Sequence, residues 1–422
     1  MSVSRPHDTV TIGDYQTVRD ETEQLAAPLS PEDQLVQSMV DASPTKWHRA
    51  HTTWFFETFV LQPHFRGYRE FDPDYGYLYN SYYESVGEQH PRHERGLISR
   101  PSLDQIAAYR EHVDEVMAIA IDQGLTDIPA VADLILLGLH HEQQHQELIL
   151  SDIKHVLSKN PTLPSYRQGE PAPSYPSPRL DWLNIEGGLV EVGHVGSGFR
   201  FDNEAPRHRV FLEPFRLADR AVTNGDWLDF MADDGYHEAR HWLSEGWALI
   251  NNQGWEAPLY WDASRSGWQV FTLHGRVRVN PSEPVCHVSY FEADAFARWA
   301  GARLPTEGEW EHASNTLSLE GNFANRDVLN PLPVPETSTG LPRQMFGDVW
   351  EWTSSSYSPY PGFRTAEGAV GEYNGKFMSN QYVLRGGSFA TPAGHIRRTY
   401  RNFYPSRARW MFGGLRLASD PR

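Results

Sequence analysis

Apolar residues recur at three- and four-residue intervals through 15–29, 44–61, 103–124 and 128–158, and this spacing predicts four amphipathic helices. Helices of that length joined by turns bury their apolar stripes against one another, so residues 1–160 are expected to form an α four-helix bundle. Ser43 followed by Pro44 predicts the start of the second helix. The serine oxygen would cap free backbone amides and the proline would occupy the first turn. The fourth helix would run roughly thirty residues, or about 45 Å. Between the second and third helices lies a long stretch, 62–101, rich in Tyr, Gly and Arg, and ordered loops of that size are usually functional.

The pattern changes after residue 160. Six prolines, Pro161, Pro164, Pro171, Pro173, Pro176 and Pro178, with Ser and Gly between them, predict a semi-rigid linker over 161–180. Beyond it, 187–193, 208–215 and 382–389 read as short strands, and 224–233 and 290–300 as helices. Long, turn-rich and tryptophan-rich loops join them. Residues 181–422 are therefore expected to be an α+β domain in which irregular structure dominates.

The 422 residues suit two domains. A net charge of −18, from 55 acidic and 37 basic residues, disfavours nucleic acid or an anionic membrane as a partner. Cys286 is the single cysteine, which excludes an intrachain disulfide and a zinc ribbon. With no apolar run long enough to span a membrane and no signal-peptide core at the N-terminus, a cytoplasmic location is the expectation.

Within these elements three histidines stand out. His141 and His145 are spaced i, i+4 and share a helical stripe with Leu134, Gly138 and Ile149, so both imidazoles are expected to face the bundle interior. His51 shares its stripe with Trp47, Trp54, Phe55 and Thr58, while His48 sits about 60° outside its centre. Buried histidines need partners, and three converging ones are a costly way to build a plain core. They point to a metal site with open positions. Nitrogen ligation suits Zn, Cu or Fe, and spacing does not choose among them. Gln144 shares the histidine face as a candidate contact to substrate or water. Glu147 points to the other side, and His48 and His140 read as structural or surface residues.

The two histidine segments, Trp47-His-Arg-Ala-His-Thr-Thr-Trp-Phe-Phe-Glu and His141-Glu-Gln-Gln-His-Gln-Glu, resemble the DinB-like domain of the ergothioneine-biosynthetic sulfoxide synthases, the EgtB family. In the second half, Gly187-Gly-Leu-Val-Glu-Val-Gly, Arg303-Leu-Pro-Thr-Glu-Gly-Glu-Trp-Glu, Gly347-Asp-Val-Trp-Glu-Trp-Thr and Leu384-Arg-Gly-Gly-Ser resemble the formylglycine-generating-enzyme-like, C-type-lectin-like domain that this family carries. The resemblance covers nearly the whole chain. It implies non-haem Fe(II) held by His51, His141 and His145. The reaction it implies uses O2 and a thiol to sulfurise C2 of the imidazole of hercynine and leaves a sulfoxide. Formylglycine-generating enzymes themselves use active-site cysteines, and Cys286 alone does not meet that need.

The resemblance also bears on the thiol. Actinobacterial members place a tyrosine from the second domain as proton donor and use an Asn-Trp-Asp segment to bind γ-glutamylcysteine. This chain has Ala366-Glu-Gly-Ala-Val-Gly-Glu-Tyr in the first region and Asn402-Phe-Tyr in the second. Its Asn80-Ser-Tyr-Tyr is similar to the type that uses free cysteine, which makes Tyr82, with Tyr83 beside it, the proton donor. Arg92 and Arg95 are candidates for the thiol substrate's carboxylate. Asn402, Phe403 and Tyr404 are candidates for hercynine, whose quaternary ammonium suits aromatic faces, with Trp410 and Phe412 nearby in sequence. Kindred readings are a synthase acting on histidine, one taking a selenosugar, and a non-catalytic binding module.

Overall fold

The structure is a computed structural model that describes residues 10–421 apart from 170, 171, 173, 175, 177, 266, 335–339, 366–370, 372 and 373. It divides into two compact units. The first holds the described residues of 1–160 with 195–201 and the described part of 365–375. The second holds the remainder from Pro161 onward.

The first unit is helical: α1 (Ile12–Ala26), α2 (Thr45–Phe56), α3 (Gln62–His64), α4 (Tyr75–Tyr79), α5 (Leu103–Asp122) and α6 (Pro129–Lys159). Thr11 with Asp14 and Ser102 with Gln105 form reciprocal capping boxes that start α1 and α5. α2 begins differently from the expectation. Pro44 is its N-cap and no side chain caps it. The Ser43 hydroxyl instead accepts from Arg95 at 3.0 Å, and the Ser43 amide donates to Asp152 at 2.8 Å. The start of α2 is thus tied to α6 by tertiary bonds. At its other end α2 passes into a π-helical turn, Glu57–Leu61.

α6 packs on α1 and α2, and α2 packs on α5. Gly138 permits the close approach of α6 to α2: a Cβ there would lie 2.6 Å from a ring carbon of Phe56 and 2.8 Å from one of Phe55. All twelve residues of α2 are buried, so this helix has no solvent face. Charges are buried as well. Glu142 accepts from Arg19 on α1 at 2.7 Å, from Arg110 on α5 at 2.8 Å and from the Thr22 hydroxyl at 2.7 Å. Burial would push the Glu142 carboxyl up, but Arg19 and Arg110 outweigh it and hold the pKa down at about 2.

The second unit is α+β. Its strands are β1 (Trp182–Ile185), β2 (Gly188–Val192), β3 (His208–Leu212), β4 (Phe215–Ala221), β5 (Trp261–Ser264), β6 (Gly267–Thr272), β7 (Gly275–Arg278), β8 (Trp350–Ser356), β9 (Gln381–Arg385), β10 (Asn402–Pro405) and β11 (Gly413–Ser419). The main sheet runs β1-β4-β11-β8-β9-β10. β2 pairs with β3, and β5-β6-β7 form a small sheet. Only the β11–β8 pair of the main sheet is parallel. The helices are α7 (Asn224–Ala232), α8 (Ser244–Gln253), α9 (Tyr290–Trp299) and α10 (Glu307–Ser314). The proline-rich stretch joins this unit: the amides of Tyr166 and Arg167 both donate to Leu273 O, at 2.9 and 3.2 Å.

Motifs of this half serve architecture. Thr306 caps α10 in a capping box with Glu309, which Arg303 grips through both terminal nitrogens at 2.8 and 2.7 Å. Trp310 donates to buried Glu351 at 2.7 Å, and Arg416 binds the same carboxylate at 2.8 Å. Gly347 has φ +77°, and a Cβ there would meet Asn322 O at 2.4 Å, so any side chain would force the loop apart. Among the described residues no helix is long and apolar enough to cross a membrane.

A cavity of about 600 Å³ opens in this unit between Trp268, His274, Asn280, Glu283, Val328 and Asn330. Burial raises the Glu283 carboxyl to about 7 despite hydrogen bonds from Asn330 and Asn280. Because the folded pKa exceeds the unfolded one, the stability this group contributes is full below about pH 4.5 and lost as pH rises through about 7. Glu283→Gln should therefore be more stable than the parent at pH 8, by about 1–3 kcal/mol, with the gap closing at pH 5. Urea unfolding at the two pH values measures it, and a gap that does not change with pH would rule out the shifted carboxyl.

Candidate metal centre

α2 and α6 bring His51, His141 and His145 together. All three are buried, and one ring nitrogen from each lies within 4.8 Å of the others. Ring centroids are 4.9 Å apart for His51 and His141, 4.8 Å for His51 and His145, and 4.6 Å for His141 and His145. The His51 and His141 Nε2 atoms face each other at 3.2 Å. Burial pushes all three pKa values down, and the neighbouring imidazoles push those of His51 and His145 further; His141 falls to about 3. The rings are therefore neutral near pH 7. Three neutral imidazoles aimed at one point in a desolvated space fit a transition-metal cation, which would satisfy lone pairs that otherwise oppose each other.

The rings of His51 and His145 are also held from behind. His51 Nδ1 lies 2.6 Å from Tyr79 O, so it carries the proton and donates it, leaving Nε2 as the ligating atom. Trp47 stacks on the His51 ring at 4.5 Å and 12°, and the Arg95 guanidinium lies 3.4 Å over the Trp47 ring. His145 Nδ1 lies 2.7 Å from His48 Nδ1, and His48 Nε2 lies 3.1 Å from Asp152 Oδ2. His48 is buried beside the centre. His140 stacks on Phe199 at 3.8 Å within the same unit.

The other candidates fall in three places. Tyr82 is half-buried and stacks on buried Tyr83 at 4.6 Å; Tyr83 in turn lies 5.6 Å from Trp54, which stacks on His51. Asn80 pins this turn, its side chain bonding the Tyr83 amide at 3.1 Å and carbonyl at 3.0 Å. Arg95 is buried. One of its guanidinium nitrogens bonds Ser43, while Nε has no hydrogen-bond partner among the described residues. Burial and Arg92 together push its pKa down to about 9. Arg92 is exposed and donates to Asp41 O at 2.6 Å. Gln144 is half-buried on α6 beside His145.

Asn402, Phe403 and Tyr404 form β10 in the second unit and are half-buried. Phe403 stacks on Tyr357 at 4.0 Å and 9°, Tyr404 lies edge-on to Trp410 at 5.6 Å, and Asn402 Oδ1 accepts the Phe403 amide at 2.9 Å. Within the 366–373 stretch compared above, only Gly371 lies among the described residues.

Residues 168–336 and 325–421 match the family described as Sulfatase-modifying factor enzyme 1-like domain. Hercynine oxygenase of Mycobacterium tuberculosis is 34% identical over 402 residues, spanning 90% of this chain and 91% of that one. The chain belongs to the hercynine oxygenase (EgtB) family. Hercynine oxygenase of Mycolicibacterium thermoresistibile is 33% identical over 414 residues, covering 90% of this chain and 87% of its own. Formylglycine-generating enzyme of Streptomyces coelicolor is 30% identical over 261 residues, or 52% of this chain. The hercynine oxygenase matches, unlike that last one, span nine-tenths of both chains, and so include most of the helical unit that carries the three histidines.

For a member of this family, His48 and Asp152 are the residues that stripe counting passed over. His48 was set aside for its angular offset, yet a wholly buried helix has interior neighbours on every side. The available signal was Asp152, seven residues after His145 and so on the same face of α6.

Proposed function

We propose that this enzyme, a hercynine sulfoxide synthase of ergothioneine formation, joins free cysteine to C2 of the hercynine imidazole in an Fe(II)- and O2-dependent reaction. The observation that carries the reading is the cluster of three buried, neutral imidazoles in a chain that aligns over nine-tenths of its length with hercynine oxygenases. The helical unit is then a DinB-like four-helix bundle that holds the metal. Residues 181–422 form the substrate-binding domain, with 161–180 between them. The enzyme works in the cytoplasm on small molecules alone, with neither nucleic acid nor membrane as partner.

His51, His141 and His145 would hold the Fe(II), which when bound supplies O2 activation and acidifies the thiol. Burial keeps the three imidazoles unprotonated and therefore able to ligate near neutral pH. Tyr79 O and His48 orient two of the rings. Tyr82 Oη delivers a proton to the reacting oxygen, with Tyr83 packing it in place. The Arg95 Nε–H, a buried donor without a hydrogen-bond partner among the described residues, is suited to the cysteine carboxylate, with Arg92 three residues before it. Gln144 Oε1 or Nε2 contacts substrate or water. On β10, the faces of Phe403 and Tyr404 receive the trimethylammonium group, and Asn402 bonds the hercynine carboxylate.

The test is to reconstitute the protein anaerobically with Fe(II), add hercynine with cysteine, γ-glutamylcysteine or a selenosugar, admit air, and identify products by mass spectrometry. Cysteine should be consumed to the sulfoxide. Turnover of γ-glutamylcysteine in its place would overturn the thiol assignment, and absence of oxygen uptake with every pair would overturn the reaction. Tyr82→Phe should keep stoichiometric iron and lose about 10²–10⁴-fold in the rate of sulfoxide formation. An unchanged rate would remove Tyr82 as the donor.

A further inference from the structure

His48 is the second imidazole of α2 and stands outside the set of three at the centre, yet it is enclosed and sits between His145 and a carboxylate. The His145 Nδ1 to His48 Nδ1 distance is 2.7 Å, and the His48 Nε2 to Asp152 Oδ2 distance is 3.1 Å. Asp152 Oδ2 also accepts the Ser43 amide at 2.8 Å, which fixes the carboxylate from the start of α2. His48 is 2% exposed and Asp152 3%.

With both imidazoles neutral, these contacts allow two proton arrangements. In one, His145 Nδ1–H donates to His48 Nδ1 and His48 Nε2–H donates to Asp152. In the other, His48 Nδ1–H donates to His145, and both far nitrogens reverse. The second arrangement points a bare His48 Nε2 lone pair at a buried carboxylate and puts a proton on His145 Nε2, the ring nitrogen that is not bonded to His48 and so is the one left to ligate. An acceptor facing an acceptor in a desolvated site loses a hydrogen bond and adds repulsion. The carboxylate therefore selects the first.

We infer that Asp152 and His48 form a positioning relay that sets the tautomer and ring angle of His145, so that its Nε2 lone pair is presented to the metal. The chain Asp152–His48–His145 extends by one imidazole the usual arrangement, in which a ligating histidine donates its other N–H to a carboxylate or carbonyl. His51 shows the ordinary form, donating to Tyr79 O. Through the relay the negative charge of Asp152 reaches His145 and makes it a better electron donor to the metal, while staying out of the coordination sphere. This rests on the reading of the three histidines as a metal centre, and the two ideas fail separately.

The first measurement is made on metal-free protein with nitrogen-15-labelled histidine. NMR should find His145 protonated at Nδ1 and bare at Nε2; a proton on Nε2 would overturn the relay even if metal binding is intact. The second uses Co(II) titrated anaerobically into parent and variants. His48→Phe keeps ring volume and removes the acceptor, and should weaken Co(II) binding about 10–100-fold and alter the d–d spectrum. His48→Gln offers an amide oxygen to His145 and an amide N–H to Asp152, and should recover most of the affinity. Asp152→Asn should fall between. Parent-like Co(II) binding in His48→Phe, or an equal loss in His48→Gln, would overturn the relay. If His48→Phe does not fold, the tautomer measurement decides. Failure of the parent to bind Co(II), with His145 still protonated at Nδ1, would instead sink the metal reading.

Discussion

His145→Ala should abolish stoichiometric iron binding and with it sulfoxide formation. The substitution removes one of three nitrogens that meet at the centre and strips His48 of its 2.7 Å partner. A change that merely perturbs a ligand's outer partner costs about 10–100-fold in affinity, so loss of the ligand itself should exceed about 100-fold. Iron is counted after anaerobic loading and desalting, with circular dichroism to confirm that the helices persist. His51→Ala and His141→Ala should behave alike. Retention of one iron per chain without His145 would remove the site as drawn.

Glu142→Ala has the largest expected effect on stability, about 3–5 kcal/mol. Arg19 and Arg110 both direct guanidinium groups at this carboxylate from other helices, and all three side chains are buried. Asp114 still pairs with Arg19, and Glu23 with Arg110 and Arg49, so truncation leaves three guanidinium groups sharing two carboxylates and one positive charge uncompensated in a desolvated space. For a unit of this size the loss corresponds to a fall of roughly 10 °C in melting temperature. The same carboxylate predicts acid sensitivity. Its folded pKa of about 2 lies below the ordinary value of 4.5, so the stability it contributes is complete above about pH 4.5 and is lost as pH falls towards 2. Urea unfolding of the parent and Glu142→Ala at pH 7 and pH 3.5 should show the gap narrowing in acid. A loss below about 1 kcal/mol at pH 7 would mean that water or another group reaches the arginines.

The same helix illustrates what periodicity can and cannot read. In α6 the stripe of Leu134, Gly138, His141, His145 and Ile149 is buried apart from Leu134, which is half-buried, because one face of that helix is turned inward. Glu142, one residue on, is equally buried at 0% exposure, since α1 and α5 cover it. Nothing in its charge or its place on the wheel signals burial, and two arginines from other helices account for it. α2 is the extreme case, where every residue is enclosed and angular offset loses its meaning. The Ser43 cap failed for a related reason: its hydroxyl and amide are taken by Arg95 and Asp152, 52 and 109 residues away. In the second unit the expected strand segments 187–193, 208–215 and 382–389 contain β2, β3 with the first residue of β4, and most of β9, whereas the other strands, with α8 and α10, are not read from turn-rich sequence.

By itself the sequence determined the helical and α+β halves and the three histidines as a set, because helical periodicity and i, i+4 spacing are local geometry carried by consecutive residues. Only the tertiary structure decided what stands behind those histidines. The contacts of His48 with Asp152, Arg95 with Trp47, and Glu142 with Arg19 and Arg110 join residues 32 to 123 positions apart. Pairings at that distance depend on how helices pack, which no local pattern encodes.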